Sequence, residues 1–132
     1  MSIFFDLEEE DSSQLEFLTN NSHICVVKFT ASWCGPCKKL TEKLNISINN
    51  DSTISSQILT PEMVNKSHGM DCDLKNKISF ISVDVDVHEE LAALNSVSAL
   101  PYIKFYRNGN QMTQVIKGCD PDGVLKTVKS LL

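Results

Sequence analysis

The stretch HICVVKFTA, residues 23–31, passes after a single serine into WCGPCKKLTEKLN. The first part is apolar and rich in β-branched residues, the pattern of a central strand buried on both faces. The second part carries a helical pattern. The junction therefore sets Cys34 and Cys37 on a strand-to-helix turn, at the N-terminal end of the helix.

The rest of the chain supplies partners for such a strand. SIFFDL can form a short first strand, and SSQLEFLTNN a helix capped by Asp11 or Ser12, with Leu15 and Leu18 on one face. KISFISVDVDV, residues 77–87, is the next strong strand, and HEELAALNSV a helix with Leu91 and Leu94 on one side. LPYIKFYRNGNQMTQVIKG reads as a hairpin turned at Asn108-Gly109. DPDGVLKTVKSLL is a closing helix with Asp120 as N-cap and Pro121 as first helical residue. Its apolar face is Val124, Leu125, Val128 and Leu131. This order predicts a single α/β domain over residues 1–132, with a mixed central sheet of four to five strands flanked by helices on both faces.

At 132 residues, 42% hydrophobic and 22% charged, the chain can bury a core without disulfide staples. A net charge of −5 offers no basic face for nucleic acid and no anchor for an anionic membrane. No apolar stretch approaches the roughly 18 residues of a membrane span. MSIFFDLEEEDSS lacks the basic leader and apolar segment of a secretion signal. The expectation is a monomeric cytoplasmic protein in a reducing compartment, where structural disulfides are rare.

The five cysteines are Cys25, Cys34, Cys37, Cys72 and Cys119, an odd number that cannot all pair within one chain. Only Cys34 and Cys37 are close in sequence. Such a pair can be a redox couple, half of a metal site, or two buried thiols. Disulfide exchange needs an attacking thiolate and a second thiol near enough to resolve the mixed disulfide. At a helix start, free N–H groups and the helix dipole favour a Cys34 thiolate, and Cys37 follows one turn later. Gly35 leaves room for a partner chain, and Pro36 stiffens the turn. A zinc site would need a second ligand pair, for which His68 and Cys72 are the candidates. The expectation is no metal, and no dinucleotide fingerprint points to a cofactor.

Trp33-Cys34-Gly35-Pro36-Cys37-Lys38, the strand before it, SVDVDV, Leu100-Pro101, Asn108-Gly109 and Gly118 occur in an order that resembles the thioredoxin family. The resemblance covers nearly the whole chain except about residues 46–76. It implies the thioredoxin fold and protein-disulfide reductase activity. It implies that Cys34 is the nucleophile, open to solvent, and Cys37 the buried resolving thiol. Trp33 would cover the site, and Pro101 would be a cis-proline facing the cysteines. Leu100, Gly118 and Cys119 would belong with Trp33 and Pro101 to the substrate-binding surface. Disulfide-containing proteins would be the substrates, and a flavin- and NADPH-dependent thioredoxin reductase the electron donor. An oxidase or isomerase of the same fold, and a non-catalytic docking module, are the alternatives.

Four features depart from the family pattern. Lys28 stands where the family usually has a buried aspartate beneath the active site. Either its stem carries the amine to water, or the cation supports the site by lowering a nearby thiol pKa. Residues 38–77 exceed one crossover helix, so an insertion is expected at about 46–76, with a short helix from Thr60 to Gly69. That insertion reads as a polar surface excursion or as a flap that selects partners. Cys119 is either an oxidisable surface thiol or a small packed residue. Tyr102, after Pro101, is expected to alter the docking surface. Cys25 is expected to be an inert core thiol, Cys72 to be exposed, and His23 and His88 to be surface residues at element ends.

Overall fold

The computed structural model describes residues 2–8, 12–60, 63 and 74–132. Five strands form one sheet: β1 (Phe4–Asp6), β2 (Ile24–Thr30), β3 (Ile78–Asp84), β4 (Tyr102–Arg107) and β5 (Asn110–Lys117). Their order across the sheet is β1-β3-β2-β4-β5. β3 runs parallel to β1 and β2, while β4 is antiparallel to both β2 and β5. The strand read from HICVVKFTA is thus central, and all of it except Thr30 is buried.

Side-chain alternation along β2 sorts the core into two layers. Ile24 and Val26 meet Leu40, Leu44 and Ile48 of α2 (Gly35–Asn49) and Val124 and Val128 of α5 (Pro121–Leu131). Cys25, Val27 and Phe29 meet Leu15 and Leu18 of α1 (Ser12–Asn21), with Leu91 of α4 (Glu89–Leu94) packed alongside. Helices therefore cover both faces, as a strand apolar on both sides requires.

Local chemistry sets the element ends. Asp120 caps α5 by accepting from the Gly123 N–H at 3.0 Å, with Pro121 in its first turn. The hairpin turns at Asn108 (φ 50°) and Gly109 (φ 85°), two left-handed residues in succession. That is the turn Asn-Gly favours, because its twist matches that of the flanking strands. The expected cap residue Asp11 lies outside the described residues.

Four expectations need correction. The stretch assigned to an insertion from about residue 46 is integral to the core as far as Leu59. Helix α2 continues to Asn49, and α3 (Ser52–Ser55) follows, capped by Asp51. Ile48 and Ile54 are wholly buried and Leu59 nearly so. The polar look of NISINNDSTISSQ hid isoleucines spaced to face the sheet. The helix expected from Thr60 to Gly69 falls largely outside the described residues, as do His68 and Cys72. Leu94 does not share a packed face with Leu91 but is 80% exposed, because α4 ends there. His88 is buried, not superficial: a ring nitrogen lies 3.0 Å from the Leu7 carbonyl, tying the exit of β1 to the start of α4. Tyr102 turns inward, edge-on to Phe29 at 6.2 Å, and so contributes to the second core layer rather than to a docking surface.

Candidate active site

Cys34 is the N-cap of α2, with extended backbone, and Gly35 and Pro36 open the helix. Its Sγ accepts the Cys37 N–H at 3.2 Å, so one of the helix's free donors points at the first sulfur. Cys34 and Cys37 form a disulfide with their Cα atoms 5.3 Å apart. The pair packs with Ala31, and Val85 and Leu100 lie against it. Cys34 is 5% exposed and Cys37 1%. Cys34 is thus less open than expected, reaching solvent only at the wall of a groove.

That groove, about 560 Å³, is lined by Trp33, Cys34, Pro36, Val85, Val97 and Leu100 among others. The Leu100–Pro101 peptide is cis. The Pro101 carbonyl accepts the Gly118 N–H at 2.8 Å, so the entry to β4 and the exit of β5 are held together beside the site. Gly118 has φ 85°, a backbone state that favours glycine. Cys119, next along, is partly buried against the first core layer. A Cβ placed on Gly35 would meet nothing within 4 Å, so space lies open in front of the helix start.

Trp33 is 69% exposed, yet its indole is fixed: Nε1–H donates to Asp86 Oδ2 at 2.9 Å. Asp86 was missed in the sequence, where VDVDV read only as the end of a strand. Thr41 was missed as well. It accepts a hydrogen bond from Lys28 Nζ and donates to the Cys37 carbonyl at 3.1 Å. Its place one turn after Cys37 was the available signal.

Lys28 is 3% exposed, so its side chain is held in the protein at the wall of a cleft rather than extended into water. Burial lowers its pKa to about 8, against an opposing Coulombic pull from Asp6. Cys25 is wholly buried, and desolvation raises its thiol pKa far out of the physiological range. Among the described residues no group of three or more His, Cys, Asp or Glu could hold a metal ion. No described helix is long and apolar enough to cross a membrane.

A disulfide at a helix N-terminus, with Leu100 of a cis Leu100–Pro101 peptide packed against it beside an apolar groove, has the arrangement of a thiol–disulfide oxidoreductase. The thioredoxin family model matches residues 7–59 and 57–130. Thioredoxin-1 of Schizosaccharomyces pombe is 29% identical over 92% of this chain and 94% of its own length. Chicken (Gallus gallus) thioredoxin is 27% identical over 90% of each. Among solved structures, oxidised mitochondrial thioredoxin 3 of Saccharomyces cerevisiae superposes with a TM-score of 0.69 at 21% identity, over 96% of this chain and 94% of that one. The oxidised thioredoxin of Plasmodium falciparum gives 0.65 at 20% identity over 95% of each. The chain belongs to the thioredoxin family. Its activity is dithiol–disulfide exchange in the direction of substrate reduction, and its fold is the thioredoxin fold.

Proposed function

We propose that Cys34 is the attacking nucleophile and Cys37 the resolving thiol of a protein-disulfide reductase. The observation that carries this is the Cys37 N–H aimed at Cys34 Sγ, which favours a thiolate there. In the reduced protein, Cys34 thiolate attacks one sulfur of a substrate disulfide. A mixed disulfide forms, and the other substrate sulfur leaves as a thiolate and takes a proton from water. Cys37 thiolate then attacks Cys34 Sγ. The Cys34–Cys37 bond forms, the mixed disulfide breaks, and the second substrate thiolate is protonated. The substrate gains two electrons and two protons, and the protein ends oxidised.

Trp33, Leu100, Pro101, Gly118 and Cys119 form the surface on which an extended substrate segment docks, with Gly35 and Pro36 shaping its approach. The groove beside Cys34 and the open space before Gly35 support this reading. Lys28 supports the site from beneath. Reduction of the Cys34–Cys37 disulfide falls to a thioredoxin reductase. The chain acts as a single-domain monomer in the cytoplasm, a compartment that keeps dithiols reduced.

The test is insulin reduction driven by dithiothreitol. Wild-type protein should accelerate insulin precipitation, and Cys34→Ser should abolish the effect. A wild type no faster than dithiothreitol alone overturns the proposal.

A further inference from the structure

Lys28 belongs to a polar row at one end of the sheet. Asp6, Ser82 and Lys28 lie in register across β1, β3 and β2, and the apolar Ile103 of β4 ends the row. The Lys28 ammonium sits 4.0 Å over the Phe4 ring and donates to Thr41 Oγ1. The Thr41 hydroxyl spends its own proton on the Cys37 carbonyl, so toward Lys28 it can only accept. Two hydrogen bonds therefore run from a buried cation to the residue that carries the second sulfur.

A cleft beside Lys28 brings in the other charged groups that face it: Asp6 and Glu8 from the end of β1, Asp84 from β3, and Lys38 from α2. Asp6, Glu8 and Lys38 are exposed and Asp84 half-buried. Water screens all four more than it screens Lys28. At 1% exposure a Cys37 thiolate would be strongly disfavoured by desolvation alone. A fixed, poorly screened positive charge offsets that penalty.

We propose that Lys28 is a positioning residue that sets the ionisation of Cys37: its ammonium, held beneath the first turns of α2 through Thr41, stabilises the Cys37 thiolate in the reduced protein. This rests on the reading of Cys37 as the resolving thiol. With the thiolate already present, no proton need leave Cys37 as it attacks Cys34 Sγ. Linkage makes the effect mutual. In the oxidised protein the thiolate is absent, and burial holds the amine's proton affinity down. Reduction supplies an anion and raises that affinity by as much as the thiol's falls.

The test follows the Cβ carbon shift of Cys37 by NMR against pH, in reduced Cys34→Ser protein. Lys28→Met should raise the Cys37 midpoint by about one pH unit or more, a roughly tenfold smaller thiolate fraction at neutral pH. Lys28→Arg should restore most of the difference. Thr41→Val, which leaves the charge but cuts its tether, should also raise the midpoint, and it decides the matter should Lys28→Met not fold. An unmoved midpoint in folded Lys28→Met, or in Thr41→Val where that variant decides, overturns the proposal. Insulin reduction by wild type is read in parallel. A wild type that reduces insulin while Cys37 ignores Lys28 removes only the role of Lys28, and a wild type that does not reduce insulin removes the cysteine assignment itself.

Discussion

Lys28 holds a charge at 3% exposure, and the stability of the protein should register it. Its folded pKa, about 8, lies below the ordinary 10.5. Between those values the unfolded chain binds more proton than the native one, so stability rises with pH across that window. Below it the penalty stands in full, at most about 3 kcal/mol. Lys28→Met should therefore be the more stable protein at neutral pH. Its advantage should shrink as pH climbs from about 8 to 10.5, as urea unfolding at several pH values would reveal. A margin that stayed constant with pH would contradict this. Cys25 gives a second check at this scale. Fully buried, with its thiol pKa raised by desolvation, it should resist alkylation in the native state, while partly exposed Cys119 reacts. Peptide-resolved mass spectrometry separates the two. The motif residues Trp33 to Cys37 were legible one by one in the sequence. The fate of the Lys28 amine was not, because a long stem on a central strand can end in water or in the core. Only the placement of Phe4 and Thr41 decides between them.

Among the elements, strands and caps were read more securely than helix lengths. HICVVKFTA announced β2 because a run apolar at every position has few other places to go. Asp120-Pro121 announced α5 by the chemistry of its first turn, and Asp120→Ala should cost about 1 kcal/mol in urea unfolding. The end of α2 and the whole of α3 were hidden, because Ser, Asn and Asp surround Ile48 and Ile54 and read locally as loop. Tertiary burial overrides that local preference. Ile54→Ala should cost about 2–5 kcal/mol, the range for a core residue. A loss within about 0.5 kcal/mol would instead mark a surface excursion. Tyr102 and His88 were misjudged for a related reason. Which face a residue takes at the very end of an element depends on register, and register depends on the neighbouring strands.

At the scale of the whole molecule, the β-α-β-α-β-α-β-β-α order was enough to give a mixed sheet with helices on both faces. It could not give the sheet order, which brings β1 beside β3 and sets β2 at the centre. The same assembly makes the tract after Asn45 indispensable. Removing residues 48–74 would take away Ile48, Ile54 and Leu59, all core residues. The shortened chain should lose cooperative thermal unfolding by circular dichroism, whereas a dispensable loop would leave the transition intact. A last consequence comes from Leu100, which lies against the cysteine pair and lines its groove. The two sulfurs are neighbours in the primary structure, but part of the groove wall beside them is furnished by Leu100, more than sixty positions downstream. Half the chain can carry the reagent but not the cradle, so reducing power doubles as a gauge of tertiary completeness and should fade with denaturant along one curve with the backbone signal.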